Sequence, residues 1–383
     1  MVTLKISLAA DQSARENFRI LMTISILNRI LNRILNRLCG HRNNIQWFAL
    51  VLLMFGGILF SSLAHSQSGS ILLEVKKRGK LICGVNAGLK GFGQPNSLGD
   101  YTGLDADFCR AVASAVFDDP SAVEFAPLSP KQRLVALRDR TINLLARNTT
   151  WTLSRNTEFG EYIGVNYYDG QGFMVTKRSG IRSALELDNQ GVCVLRDTTT
   201  ALNAADYFAV NKIRYRPVYY EINVDLNEDY EEGRCEAMTY DISALAAIRE
   251  SLERPDSHLI LPEVISKEPL GPMVPHGDPA WSNLVRWTLN CMINAEELGI
   301  SSSNIGTFTS NPSPAAARLL GTVDNFGERM GVDNKWCANV IAHVGNYGES
   351  FERNIGQNTP LGLSRGVNKL WTDGGLLFAP PIR

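Results

Sequence analysis

The chain has 383 residues, of which 44% are hydrophobic and 20% are charged, and its formal net charge is -1. This composition is typical of a globular protein long enough for two domains, and it excludes a disordered or fibrous chain. Residues 1–46 carry a charge of +5, so the remainder carries -6. Because phosphate recognition needs a clustered basic surface, we expect no nucleic-acid partner.

The first segment, residues 1–66, is typical of an export signal rather than of a folded domain. An uncharged run from Trp47 to Phe60 follows the basic residues, and small side chains stand at Ala64 and Ser66. The run is shorter than the roughly 20 apolar residues that span a bilayer, which favours a signal peptide over a membrane anchor. We therefore predict an N-terminal extension and signal peptide over 1–66, cleaved near Ser66.

Beyond this segment, short apolar strands alternate with helical patterns. A first series runs strand, helix, strand, helix, strand through KLICGVN, DADFCRAVASAVF, VEFAPL, KQRLVALRDR and INLLAR. A second series begins with the strand GVCVLR and continues through TTTALNAADYFAVNK, RYRPVYY, EDYEEGR, CEAMTYD and ISALAAIRESL. Alternation of this kind predicts mainly parallel sheets, so we expect two α/β modules followed by C-terminal helices.

The stretch ARNTTWTLSRNTEF follows the last strand of the first series. Open α/β sheets bind ligands outside the carboxyl ends of their strands. We therefore expect the backbone N–H groups of Thr149, Thr150 and Trp151 to form an anion-binding helix start, with Arg155 adding a bidentate contact to a carboxylate. The alternatives are a helix cap and a surface ion pair between Arg155 and Glu158.

The second module repeats this pattern. VLRDTTTAL places Thr198, Thr199 and Thr200 at a strand end, and Asp241 ends the strand CEAMTYD. Each residue is also a good helix cap, which is the alternative interpretation. Anion donors on both modules together with one carboxylate suit a zwitterion, and a free α-amino acid is the simplest such ligand.

Six cysteines follow the signal segment, without the close spacing of a zinc site or a redox motif. In an exported protein they form disulfides or act as small buried side chains. We expect Cys193 to pair with Cys235, because their strands are neighbours in one sheet. For the remaining four we favour Cys291 with Cys337, between two late helices, and Cys83 with Cys109.

Several long motifs resemble one family. They include GLDADFCRAVASAVF, RNTTWTLSRNTEFG, GVNYYDGQGFMV, VGNYGESFERNIG and LWTDGGLLFAPPIR. The chain resembles the periplasmic solute-binding proteins of general L-amino-acid ABC transporters, within the glutamate/glutamine-type cluster. The resemblance implies a type II periplasmic binding protein fold, with two α/β lobes joined by a two-strand hinge. The implied domains are a first part of lobe 1 (67–172), lobe 2 (173–270), and the return to lobe 1 with the C-terminal helices (271–383).

The resemblance also implies a function and a set of site residues. The protein would be a periplasmic monomer without a cofactor or metal, binding a broad range of free L-amino acids for a membrane permease with its ATPase. Arg155 would hold the ligand α-carboxylate and Asp241 the α-ammonium. The other contacts would come from Asn148, Thr150, Thr198, Thr199 and, by a weaker correspondence, Phe92.

Two residues and two other functions stay open. Asp197 stands where relatives usually have glycine, and its charge lowers affinity for a carboxylate unless the side chain turns outward. For Arg147 we favour a structural role, because two cations in one small pocket repel each other. The alternatives are a periplasmic enzyme similar to cyclohexadienyl dehydratase, and an amino-acid sensor. An enzyme needs an acid or base in the cleft, and no histidine stands at the expected strand ends.

Overall fold

The computed structural model describes residues 70–383. The predicted signal peptide, its cleavage near Ser66 and the seventh cysteine, Cys39, lie outside these residues. Within the described range, no helix is long and apolar enough to cross a membrane.

The first sheet is built from short buried strands separated by helices. Leu81, Cys83 and Val85 of its central strand are fully buried. The strand order is β4-β1-β5-β13-β6, in which β4, β1 and β5 are parallel and β13 is antiparallel to both of its neighbours. The elements from Ile71 to Tyr162 are α1 (Ile71–Arg78), β1 (Leu81–Val85), β2 (Gln94–Pro95), β3 (Tyr101–Thr102), α2 (Leu104–Phe117), β4 (Val123–Pro127), α3 (Pro130–Arg138), β5 (Leu144–Leu145), α4 (Leu153–Glu158) and β6 (Glu161–Tyr162).

The second sheet has the order β11-β7-β10-β8-β9, and β12 pairs with β7. Strands β10, β8 and β9 are parallel, and β7 is antiparallel to β10, β11 and β12. Its elements are β7 (Tyr167–Thr176), β8 (Gly191–Leu195), α5 (Thr199–Val210), β9 (Arg216–Tyr220), α6 (Asn223–Glu231), β10 (Ala237–Asp241), α7 (Ile242–Arg249), β11 (His258–Ile260) and β12 (Ser266–Leu270).

The chain passes between the two sheets twice, through the segments that lead into β7 and out of β12. The two segments approach closely at Gly164 and Gly271: a Cβ added to Gly271 would lie 2.2 Å from the carbonyl oxygen of Gly164. Any larger side chain at Gly271 would push the crossing segments apart. The predicted lobe limits at residues 172 and 270 stay predictions.

After the second crossing, β13 (Met273–Val274) completes the first sheet, and helices form the rest of the chain. Asp278 caps the longest helix by accepting a hydrogen bond from the backbone N–H of Trp281 at 2.9 Å, and Pro279 occupies its first turn, as the sequence predicts. The helices are α8 (Pro279–Glu297), α9 (Ile305–Ser310), α10 (Pro314–Leu319), α11 (Phe326–Arg329), α12 (Trp336–His343) and α13 (Tyr347–Asn354).

Three disulfides join the six cysteines of the described residues. Cys83 of β1 pairs with Cys109 of α2, and Cys193 of β8 pairs with Cys235, which lies two residues before β10. Cys291 of α8 pairs with Cys337 of α12. The Cα–Cα distances of 6.1, 5.8 and 5.8 Å lie within the normal range for disulfides. These are the three pairs that the sequence analysis favours.

Candidate functional site

A small cavity of about 40 Å³ lies where the carboxyl ends of the parallel strands of both sheets face each other. Each neighbouring segment comes directly after a strand, which is the general location of ligand sites in open α/β sheets. The lining residues are Asn86, Leu89, Pro130, Arg133, Arg147, Asn148 and Thr150 from the first lobe, with Leu195, Thr198, Thr199, Thr200, Asn223, Tyr240, Asp241 and Ala244 from the second.

Asn148 presents an unusual backbone and an unsatisfied amide to the cavity. Its φ is +43°, in the left-handed region, and its backbone N–H donates to Oδ2 of Asp105 at 3.0 Å. Both polar atoms of its side-chain amide are buried and have no hydrogen-bond partner within the described part of the chain. The hydrogen bond to Asp105 stabilises this backbone conformation. Burial raises the pKa of the Asp105 carboxyl to about 6. The Asn148 amide is therefore available to a polar ligand.

The segment after Asn148 is held by side chains from its own lobe. The carbonyl oxygen of Thr150 accepts hydrogen bonds from Nη1 of Arg155 at 2.9 Å and from the Tyr162 hydroxyl at 2.6 Å. The predicted helix start at Thr149–Trp151 is wrong in one respect: α4 begins at Leu153, and the N–H of Trp151 donates to the carbonyl of Pro269 at 2.8 Å. That N–H is therefore not available to an anion.

Two buried arginines, Arg133 and Arg147, line the same side of the cavity. Nη1 of Arg133 donates to the carbonyl of Arg147 at 3.3 Å, while its Nε has no partner among residues 70–383. Nε of Arg147 donates to the carbonyl of Leu128 at 2.8 Å, so Arg147 braces a strand end and also lines the cavity. Burial, together with the neighbouring guanidinium groups, lowers the pKa of Arg133 well below its usual value. This wall of the cavity favours anionic or hydrogen-bond-accepting groups.

Threonines of the second lobe reach across to the first. Thr198 caps α5 by accepting a hydrogen bond from the N–H of Ala201 at 3.2 Å. The hydroxyl of Thr199 lies 3.2 Å from that of Thr150, which joins the two lobes directly. It also lies 3.3 Å from Oε2 of Glu268, a buried residue on the crossing strand β12. Thr199 therefore connects both lobes and the hinge.

Asp241 is the carboxylate that the second lobe presents to the cavity. It is 8% exposed, and although it stands at the start of α7, its side chain makes no capping hydrogen bond. Its Oδ1 has no hydrogen-bond partner in the described structure. Burial, and next the negative charges of Asp169 and Glu268, raise the pKa of Asp241 well above its usual value. A cation placed against Oδ1 would relieve both effects.

The structure brings together five of the seven residues predicted to contact a ligand. Asn148, Thr150, Thr198, Thr199 and Asp241 all line the cavity.

Arg155 and Phe92 are outside the described lining. Arg155 is buried behind Thr150, whose carbonyl it holds. Phe92 is 1% exposed, and its ring packs edge-on against Tyr167 at a centroid distance of 5.6 Å. This position is typical of core packing, and the predicted contact of Phe92 with a ligand stays a prediction. Leu89 of the same loop lines the cavity instead.

Asp197 is explained by its backbone. Its φ of +59° lies in the left-handed region, where glycine costs nothing and aspartate is tolerated, and its side chain is exposed. The charge therefore faces solvent rather than a ligand carboxylate.

Other lining residues were missed in the sequence. Asn86 follows β1, Pro130 and Arg133 follow β4, and Asn223 follows β9. Ligands bind outside the carboxyl ends of the strands in open α/β sheets, so the segments after every strand, and not only those with threonine runs, are candidates for the site. In the described range, no group of three or more His, Cys, Asp or Glu side chains is arranged to hold a metal ion.

The sequence matches the bacterial extracellular solute-binding proteins, family 3, over residues 81–302. The general L-amino acid-binding periplasmic protein AapJ of Rhizobium johnstonii is 50% identical over 323 residues, 84% of this chain and 95% of the relative. The glutamate/glutamine/aspartate/asparagine-binding protein BztA of Rhodobacter capsulatus is 46% identical over 332 residues, 86% of this chain and 98% of the relative.

A solved structure agrees with these relatives. A periplasmic binding protein from Brucella ovis with glutathione bound is 48% identical, with a TM-score of 0.81, and covers 82% of this chain and 100% of that chain. The predicted fold, a type II periplasmic binding protein with mixed α/β sheets, is thereby confirmed. The chain belongs to the bacterial extracellular solute-binding proteins of family 3.

Proposed function

We propose that the protein binds free L-amino acids of a broad range between its lobes, in the periplasm, and delivers them as a monomer to the membrane permease of an ABC transporter with its ATPase. The observation that carries this proposal is the buried, unpartnered carboxylate oxygen of Asp241, as seen in the described residues, in a cavity whose other polar lining residues are arginines, asparagines, threonines and one tyrosine. A zwitterion supplies the missing cation and uses the donors at once.

The two charged groups of an α-amino acid have different partners in this cavity. The ammonium group pairs with Oδ1 of Asp241. The α-carboxylate takes donors from Asn148 and Thr150 and from the start of α5 at Thr199, where backbone N–H groups carry the positive end of a twelve-residue helix. Arg155 orients this segment through the Thr150 carbonyl, and its guanidinium is the partner that the family resemblance assigns to the carboxylate.

Relatives of known ligand class support this proposal. AapJ is named as a general L-amino acid-binding periplasmic protein, and BztA as a protein that binds glutamate, glutamine, aspartate and asparagine. At 50% and 46% identity over nearly the whole length of these relatives, the ligand class is expected to be shared.

Within a broad range, the arginine wall gives a preference. Within the described chain, Nε of the buried Arg133 guanidinium has no hydrogen-bond acceptor. An unsatisfied buried donor is destabilising, and a ligand acceptor that reaches Nε removes this cost. Side chains that end in a carboxylate or an amide oxygen supply that acceptor. We therefore propose that glutamate, aspartate and their amides bind more tightly than alanine or leucine.

The substitution Arg133→Met tests this preference. A charge-assisted hydrogen bond contributes about 1.5–3 kcal/mol, so affinity for L-glutamate should fall by about 10- to 150-fold, while affinity for L-alanine stays within about threefold. Titration calorimetry with both amino acids measures this ratio.

The matched control is Arg138→Met on the same helix α3, whose guanidinium forms an exposed ion pair with Asp139 at 2.9 Å. It should leave both affinities unchanged. If Arg133→Met lowered the affinity for glutamate and for alanine equally, Arg133 would not recognise the ligand side chain.

Capture without turnover distinguishes a transport protein from an enzyme on the same fold. Of the described histidines, His258, His276 and His343, none lines the cavity, so the acid or base that a dehydratase needs is not supplied by histidine. We propose that the protein is not an enzyme. Titration with each of the twenty amino acids, followed by chromatography of the mixture, tests both points. Saturable binding with full recovery of the amino acid is expected, and product formation would overturn the proposal.

A further inference from the structure

A row of carboxyl groups lies behind the cavity on one face of the second sheet. Asp169 of β7 stands directly opposite Glu268 of β12, and Asp241 of β10 stands opposite Gln171 of β7. Because side chains two apart in a strand share a face, Asp169 and Gln171 point to the same side. The three carboxyl groups are therefore neighbours across three adjacent strands, two of which lead into the interlobe crossings.

Asp169 and Glu268 are fully engaged by neutral donors. Oδ2 of Asp169 accepts from the hydroxyl and N–H of Ser243, and Oδ1 accepts from the N–H of Gly170. Oε1 of Glu268 accepts from Nδ2 of Asn203 at 2.7 Å and from the Ser266 hydroxyl at 2.6 Å.

In the described structure, neither carboxylate forms an ion pair with lysine or arginine. Like charges directly opposite on antiparallel strands repel, and burial strengthens the repulsion. The neutral donors around Asp169 and Glu268 therefore do not neutralise the negative charge of this row of carboxyl groups.

We propose that Asp169 and Glu268 are positioning residues that couple the capture of a ligand ammonium by Asp241 to the release of a proton from this row of carboxyl groups. The proposal rests on the proposed function, because it takes Asp241 as the ammonium partner. The ammonium replaces the proton as the neutralising charge, so amino-acid capture and protonation compete.

The charges around Asp241 agree with this competition. Asp169 and Glu268 raise its pKa, while the guanidinium groups of Arg133 and Arg155 lower it by less than burial raises it. Burial also raises the pKa of Asp169 to about 6. Tyr167 and Tyr240 face the same region, and burial keeps both phenols neutral by raising their pKa values. Of the groups around Asp241, the carboxyls of Asp241 and Asp169 therefore have the raised pKa values that this competition requires.

The direction of the pH effect follows from the raised pKa. While Asp241 or Asp169 is protonated, binding must displace a proton, so affinity falls by up to about tenfold for each pH unit of acidification. Once both carboxyls are ionised, affinity is independent of pH. An ordinary exposed carboxyl would produce the same fall only near pH 4.

Titration calorimetry of the full protein with L-glutamate, at a pH near 6 in phosphate and in Bis-Tris buffer, measures the protons released per ligand. We expect net release in the wild type, at most about one proton, that declines as the pH rises. The variants Asp169→Asn and Glu268→Gln should each bind glutamate with less proton release and a flatter pH profile.

A matched control comes from the other lobe. Asp105 is also a buried carboxyl with a pKa raised to about 6, but it contacts Asn148 and not the row. Because Asp105 supports Asn148, Asp105→Asn is expected to lower affinity, but it should keep the number of protons released per bound ligand, and loss of that release would assign the proton to Asp105 and overturn the inference. Wild-type binding with no proton release between about pH 5 and about pH 8 would also overturn it. The absence of any amino-acid binding would instead overturn the proposed function.

Discussion

Asp241→Asn is expected to lower affinity for every amino-acid ligand by at least about 100-fold. Removing one partner of a buried charge pair costs about 3–5 kcal/mol, because the other charge is left uncompensated. The asparagine side chain has nearly the same shape, so the loss reports charge rather than packing. Since the substitution also removes repulsion from Asp169 and Glu268, thermal stability without ligand should not fall.

The control for this variant is Asp197→Asn, which removes a carboxylate one residue from Thr198. Asp197 is exposed and has a left-handed backbone that asparagine adopts readily. Its affinity should stay within about threefold of the wild type, as calorimetry will show. If Asp241→Asn also stayed within about threefold, Asp241 would not be the ammonium partner.

The double variant Cys193→Ala/Cys235→Ala is expected to lose both stability and affinity. The bond closes a sequence separation of 42 residues, and the chain-entropy model gives about 4 kcal/mol for a loop of this size. For a protein of this length the melting temperature should fall by about 6 °C. Cys193 lies opposite Met238 in the β8–β10 pair. Because β8 leads to Thr198 and β10 ends at Asp241, loosening these strands should also weaken ligand binding.

The chain contains a matched control for this effect. Cys291 and Cys337 close a similar separation of 46 residues, but they join α8 to α12, away from the cavity lining. Their double alanine variant should lose similar stability and keep wild-type affinity. Thermal melts and calorimetry on both pairs separate the two effects, and equal affinity in the two variants would refute the link between the Cys193–Cys235 bond and the site.

The order of strands and helices was predictable because periodicity and strand-end chemistry are local. GVCVLR, TTTALNAADYFAVNK and CEAMTYD correspond to β8, α5 and β10 within a few residues. Thr198, Thr199 and Asp241 reach the cavity because parallel strands place their carboxyl ends at one edge.

Contacts between distant segments were not predictable. The N–H of Trp151 donates to the carbonyl of Pro269, more than a hundred residues away, and α4 begins at Leu153 after its cap Thr152. Phe92 and Leu89 share one loop and are both buried, but Phe92 packs against Tyr167 while Leu89 lines the cavity. The role of Arg133 depends on its burial, which the helical pattern of KQRLVALRDR does not reveal.

The central claim is that Asp241 recognises an ammonium group in the cavity between the two lobes. Glutarate differs from L-glutamate by the α-amino group alone, so comparing the two by calorimetry on the wild-type protein isolates that contact. We predict saturable binding of L-glutamate and at least about a 100-fold weaker affinity for glutarate. Glutarate binding within about tenfold of L-glutamate would contradict the account.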